Sequence, residues 1–444
     1  LEFDTLLLSR LLTFITLAFH IIFATIGVGL PLYICLAELI GIKRKDPYFI
    51  LLARRWTRGY IILVAVGVVT GTIIGLQLSL LWPSFMQKAG HLVGLPLFME
   101  TFAFFFEAIF LGIYIYTWDR FSNPIFHWLL SIPVVIGSSA SAFFITTVNA
   151  FMNTPRGFTL VDGSFLNVQP LVAMFNPATP TKVAHVLTTA YLTSGFVLAS
   201  ITAYFLLKGK GHVYYKKALH LSMIGCLVFS IFTMLNGDFA GKYLAKYQPE
   251  KLAAAEWHFE TESRAKLLLG GILDEETLEV KYGIGIPAAL SILAYNSPDA
   301  EVIGLNDFPR DLWPPLYIHY FFNIMIFSGM FLAFVAVLYF VFYYVKALNS
   351  LHPWILRGIF IGGPLAMLAI ESGWIMTEVG RQPWILVGLM RTGEAVTTAG
   401  QVFEMLILFT SLYFVLGLLV PVILIRLFSK KSAETEIEKR GIIL

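Results

Sequence analysis

Six stretches of the chain, between 20 and 35 residues long, contain no Asp, Glu, Lys or Arg: 11–37, 59–87, 121–155, 183–207, 218–237 and 312–345. A helix crosses the hydrocarbon of a bilayer with about 20 mainly apolar residues. Three more apolar runs, 92–118, 358–377 and 395–425, are interrupted only by isolated carboxylates: Glu100 and Glu107, then Glu371, then Glu404. The pattern predicts an all-α polytopic membrane bundle of nine transmembrane helices. A strand-built barrel is excluded, because its segments are about 10 residues long and alternate in polarity.

Composition agrees. Of 444 residues, 57% are hydrophobic and only 13% charged, about half the charge of a soluble protein. Nucleic-acid binding, disorder and a disulfide scaffold are excluded with it. Cys35 and Cys226 lie in apolar runs and read as packing residues. Neither belongs to a Cys-x-x-Cys-His, which excludes covalent haem attachment.

The first run is too long for a signal-peptide core and follows no basic stretch, so it reads as a mature helix. Loops after helices 1, 3, 5 and 7, with the C-terminal tail, hold 18 Lys and Arg. The opposite side holds 6, leaving out the long segment after helix 6. Basic residues mark the cytoplasmic side, so the N-terminus and the long segment are expected outside and the C-terminus in the cytoplasm. The expected organisation is helices 1–6 in 1–237, an extracytoplasmic loop in 238–310, helices 7–9 in 311–428 and a tail in 429–444. Within the loop, Lys251 to Lys281 is charged and helix-prone, and Asn296 to Asp299 reads as a turn. The absence of an internal repeat counts against an inverted-repeat transporter. Gly67, Gly71 and Gly75, at GxxxG spacing, read as a helix-packing face.

Ionisable groups at membrane depth are expensive and mark functional sites. The candidates are His20, Glu100, Glu107, His185, Glu371, Glu378 and Glu404. An imidazole with one free nitrogen is an axial ligand for haem iron, and a His/Met pair such as His185 with Met325 raises its potential. Glu100 and Glu107, seven apart, share a helix face and are suited to relaying protons. Arg381 is placed to neutralise Glu378 or a haem propionate. His319 reads as an interfacial histidine. At this point a redox enzyme (a haem b electron conduit among them), a proton-coupled transporter using the carboxylates and a channel all remain open.

The motifs go further. Glu378 precedes Gly380-Arg381-Gln382-Pro383-Trp384, and the loop contains Lys251-Leu252-Ala253-Ala254-Ala255-Glu256. Ser9-Arg10 stands ahead of His20, Gly67 and Gly71 ahead of Gln77, and Trp118-Asp119-Arg120 after Glu107. In order and spacing the chain resembles subunit I of the cytochrome bd-type quinol oxidases over all nine helices. The resemblance implies oxidation of a quinol at the outer face and reduction of O2 to water with cytoplasmic protons. It implies two b-type haems (one low-spin, one high-spin) and one d-type haem. His185 and Met325 match the low-spin ligands, His20 and Glu378 the ligands of the two high-spin haems. Glu100 and Glu107 match the acidic pair beside them, and Lys251 and Glu256 match quinol-site residues. At Asn323 some relatives carry Arg. The implied partners are a homologous second subunit and a small single-helix one, and the implied location is the bacterial cell membrane.

Overall fold

The computed structural model describes residues 4–345, 348–430 and 432–441. Among the described residues, nine helices are long and apolar enough to cross a membrane. They are α1 (Thr5–Arg44), α2 (Pro47–Leu81), α3 (Pro83–Tyr116), α4 (Ser131–Asn153), α5 (Thr179–Leu207), α6 (Val213–Tyr247), α7 (Ile318–Tyr344), α8 (Pro353–Val379) and α9 (Val402–Lys430). The short helix Pro124–Leu129 leads into α4. Hydrocarbon offers the backbone no hydrogen bonds, so each apolar run satisfies its own as a helix. Their starts are written in the sequence. Asp4 and Asp46 cap α1 and α2 by accepting from Leu6 and Tyr48, each at 3.0 Å. Pro47, Pro83 and Pro353 occupy first-turn positions, where a missing N–H costs nothing.

Consecutive helices pair: α1 with α2, α3 with α4, α5 with α6, and α7 with α8. Helix α1 also packs on α4, α5 and α9, and α8 on α5. At two contacts the backbones nearly touch. A Cβ at Gly29 would stand 2.4 Å from the Ala190 carbonyl oxygen, and one at Gly137 would stand 2.8 Å from Cβ of Glu107. The alternating directions gather the starts of α5 and α7 and the ends of α4, α6 and α8 at one end of the bundle. This is the loop end, because residues 248–317 join α6 to α7 there.

Several boundaries differ from the sequence reading, among them the start of α7, at Ile318 rather than 311. Helix 2 does not reach Gln87: the chain turns at Trp82 and Pro83 opens α3. Helix 6 runs on through Asp238 to Tyr247, supported by an Asp238–Lys242 ion pair of 2.5 Å one turn apart. The loop therefore starts at 248. Of the stretch from Lys251 to Lys281, only the short helix Pro249–Glu256 is helical. The rest forms two-residue and three-residue strands, with Leu267–Leu269 paired to Ile284–Ile286 and Ile272–Asp274 to Glu279–Lys281. Gly270 and Gly271, at φ 63° and 107°, turn the chain between them, a conformation glycine adopts without penalty. Finally, α9 starts at Val402 rather than 395. Glu404 therefore sits exposed in its first turn instead of deep in a helix.

Candidate functional site

His20, mid-way along α1, faces α2. Its Nδ1 is 2.8 Å from Oγ1 of Thr70, and that hydroxyl also lies 2.8 Å from the Val66 carbonyl. The carbonyl can only accept, so it takes the single hydroxyl proton. Thr70 then accepts from Nδ1–H, which leaves Nε2 with a free lone pair. Of Gly67, Gly71 and Gly75 on α2, Gly71 alone makes room for this ring. A Cβ at Gly71 would meet His20 Cε1 at 3.2 Å, whereas Gly67 and Gly75 have nothing within 4 Å. A ligand-competent imidazole thus stands beside an open glycine-lined strip.

At the loop end, four side chains from four elements converge on Glu378. Asn149 of α4 donates to one carboxylate oxygen, and Arg381 donates to the other at 2.5 Å. Lys182 of α5 donates to Oδ1 of Asn149 at 3.0 Å. Lys251 donates to the Thr377 carbonyl at 2.7 Å. Lys182, Arg381 and Lys251 are all close enough to interact with the Glu378 charge. Three basic groups around one carboxylate suit further anionic groups. The motif segment after Glu378 is fixed by the motif near the N-terminus: Arg10 donates to Oε1 of Gln382 at 3.1 Å, and Thr392 to the same atom at 2.8 Å.

His185 and Met325 lie six and seven residues into α5 and α7, which begin at the same end. At 1.5 Å per residue that places them at about the same depth. Nδ1 of His185 is buried without a hydrogen-bond partner among the described residues. Leaving such a group unpaired costs about 1–3 kcal/mol. Gly373 of α8 makes room for the thioether, since a Cβ there would stand 3.0 Å from Sδ of Met325. Oε1 of Glu371, two turns before Glu378, is also buried without a partner.

Glu100 and Glu107 do share a face. Ser141 of α4 donates to Glu100 at 3.0 Å, and Gly137, one turn away, packs against Glu107. Tyr60 of α2 donates to Glu107, which is 4% exposed. The series continues at Tyr114, seven residues on, which donates to Glu38 at 2.7 Å; Glu38 also pairs with His127 at 2.5 Å. Between Tyr60 and Tyr114 a cavity of about 10 Å³, bordered by Thr57 and Ser131, has room for about one water.

The two loop candidates part company. Lys251 and Glu256 are 2% and 1% exposed. Lys251 turns toward Glu378. Burial, reinforced by Lys182, holds its ammonium well below the usual lysine range, with Glu378 opposing. Glu256 turns the other way, accepting from the Leu268 N–H at 3.2 Å, while its Oε1 is buried without a partner. Burial pushes its carboxyl up to about 8 against the pull of that N–H. His319, at the start of α7, is fully buried beneath the loop and contacts the Ala255 and Gly270 carbonyls at 2.8 and 3.1 Å. The sequence reading missed Thr70, Asn149, Lys182, Tyr60 and Glu38. Lys182, one helical turn before His185, was the only one with a usable signal, a lone cation at the start of an apolar run.

The family model for cytochrome bd terminal oxidase subunit I matches residues 8–432. The chain belongs to that family. A solved bd oxidase from Geobacillus thermodenitrificans superposes with a TM-score of 0.93 at 61% identity, covering 96% of this chain and 99% of the other. A Bacillus subtilis (strain 168) relative, named for a cytochrome bd menaquinol oxidase subunit I, is 43% identical over 438 residues, 98% of this chain and 99% of its own. A cytochrome bd ubiquinol oxidase subunit 1 from the same organism is 32% identical over 444 residues, covering 97% and 94%. The bd oxidase subunit is therefore a multipass membrane oxidoreductase of the quinol:oxygen class and a component of a respiratory chain, and cytochrome bd oxidases as a class carry haems. As a subunit I it works with a subunit II.

Proposed function

We propose that the chain holds two b-type haems and one d-type haem, oxidises quinol at the outer face of the bacterial cell membrane and delivers cytoplasmic protons for reducing O2 to water. The observation that carries this reading is the state of two intramembrane histidines: His20 with Nδ1 engaged and Nε2 free, and His185 with Nδ1 buried and unpaired. Such nitrogens fit metal ligation better than helix packing.

In this reading His185 and Met325 are the ligands of a low-spin haem, and His20 and Glu378 those of two high-spin haems. Arg381 and Lys182 neutralise propionates. When bound, the haems supply the electron path and the metal that binds oxygen. The protein supplies the rest. Glu256 accepts a proton from a quinol hydroxyl, and Lys251 contributes positive potential from the far side of the short helix Pro249–Glu256. Glu107 takes up protons from the cytoplasmic side through Tyr60 and passes them toward Glu100. The excess of basic residues on the tail side supports a cytoplasmic C-terminus, with the N-terminus and the loop outside. Quinol protons are then released outside while oxygen draws protons from inside, which builds a proton-motive force without a pump. A small single-helix subunit completes the assembly alongside subunit II.

An absorption spectrum of the purified complex tests the reading. Low-spin and high-spin b bands with a long-wavelength d band support it. Bands of b type alone would reduce the protein to an electron conduit, and a colourless protein would leave the carboxylates to proton-coupled transport.

A further inference from the structure

Beside Glu256, three groups have no assigned role: His319, Asn323 and the peptide of Gly270. Asn323 stands one turn after His319 on α7. Its Oδ1 accepts from the Gly270 N–H at 3.1 Å, and its Nδ2 donates to the His319 carbonyl at 2.8 Å. His319 reaches the Gly270 carbonyl through Nε2 at 3.1 Å. A single loop residue is thus gripped at both its N–H and its C=O by two side chains of one helical turn. Nδ1 of His319 lies 2.8 Å from the Ala255 carbonyl, so the ring also fixes the residue before Glu256 when Nδ1 carries a proton; holding both carbonyls at once takes a proton on each nitrogen. Trp257 adopts φ 48°, sparsely populated by non-glycine residues, and lays its indole on the His319 ring at a centroid distance of 3.9 Å. The contacts at Nε2 are alternatives. With a proton it donates to Gly270; without one it accepts from Nδ2 of Asn323, also 3.1 Å away.

We propose that His319 and Asn323 are positioning residues for quinol oxidation, pinning the Gly270 turn, and through it the Glu256 carboxylate, to the helix that carries Met325. The inference rests on the quinol role given to Glu256 above. Leu268, whose N–H orients Glu256, lies on the three-residue strand Leu267–Leu269 that Gly270 directly follows, so a shift of the turn moves it too. The free Oε1 of Glu256 must meet a substrate hydroxyl, and displacement of about 1 Å can cost about a hundredfold in rate. A purely structural clamp would stabilise the loop without changing how substrate is held.

The test uses the purified complex with Asn323→Ala, His319→Gln, His319→Ala and Glu256→Gln, assayed with a short-chain quinol. Amide hydrogen exchange over residues 267–272 is followed in parallel. Asn323→Ala should speed exchange in that segment and raise KM about tenfold, with a smaller change in kcat. His319→Gln, which keeps one donor, should lie between His319→Ala and the parent. If His319→Ala does not assemble, Asn323→Ala and His319→Gln still decide. Unchanged exchange in Asn323→Ala would overturn the clamp, and faster exchange with unchanged KM would overturn its role toward quinol. Glu256→Gln separates the two levels. If it impairs quinol oxidation while Asn323→Ala does not, only this inference falls; if neither does, the quinol role of Glu256 falls with it.

Discussion

Thr70 accepts a hydrogen bond from Nδ1 of His20 at 2.8 Å while giving its only proton to the carbonyl of Val66, also at 2.8 Å. The imidazole tautomer is therefore set by a neutral residue on a neighbouring helix. Thr70→Val should weaken retention of the haem assigned to His20 about 10-fold to 100-fold, the usual cost of losing an outer partner of a metal ligand. Thr70→Ser should restore it. Haem-to-protein ratio and the high-spin absorption bands are the measurements; unchanged values in Thr70→Val would remove Thr70 from the site.

Met325 lies against Gly373 in a space no larger side chain at 373 would leave. Met325→Leu should lower the potential of the low-spin haem by on the order of 100 mV, within the roughly 0.8 V that axial ligands span. Potentiometric titration followed by visible spectroscopy reads the shift. An unchanged potential and low-spin spectrum would strike Met325 from the ligands.

Tyr60 and Glu107 predict a graded effect. Glutamine keeps the shape of glutamate but carries no exchangeable acid proton, so Glu107→Gln should slow oxygen reduction about a hundredfold at matched haem content. Tyr60→Phe removes a donor that an ordered water can replace, and should cost about tenfold. Single-turnover oxidation of the reduced complex, mixed rapidly with oxygen, distinguishes the two. Parent rates in both variants would mean that protons travel elsewhere.

The Glu256 carboxyl, pushed up to about 8 by burial, accepts a proton only as the carboxylate. Quinol oxidation at limiting quinol should therefore rise with pH and level off above about 8, and Glu256→Gln should lose that rise. The stability effect has the opposite sign. The folded state holds the proton more tightly than the unfolded chain, so stability is greatest below the ordinary value of 4.5 and falls as pH climbs through about 8. Steady-state pH profiles and thermal unfolding of both proteins check the two signs.

The spans were legible because a charge-free run of 20 or more residues has almost one solution in a membrane. Ends were less legible. Pro83 breaks a continuous apolar run, and α6 continues through charged residues because Asp238 and Lys242 pair on its surface. The loop strands escaped notice because each is three residues or fewer and depends on the turn at Gly270 and Gly271. Buried His and Glu residues stood out by their cost at membrane depth. Their partners did not: Thr70, Asn149 and Ser141 are cheap residues found in many helices, and only packing shows which of them faces a ligand. The burial of His319 was hidden for a related reason. Its place near a helix start suggests an interface, but the loop folds back over it.

Helix α6 has 35 residues, about 52 Å at 1.5 Å per residue, against about 30 Å of hydrocarbon. Even strongly tilted, it outreaches the lipid. Its last turns carry the loop as a stiff post, with Gly241 so close to Leu293 that a Cβ there would stand 2.7 Å from the leucine side chain. On the proposed orientation the proposed quinol site is then mounted at the membrane rim. A substrate with a greasy tail can arrive sideways without leaving the lipid, so the enzyme searches a sheet rather than a volume. Its supply would follow the lateral density of quinol in the membrane, not any concentration in water.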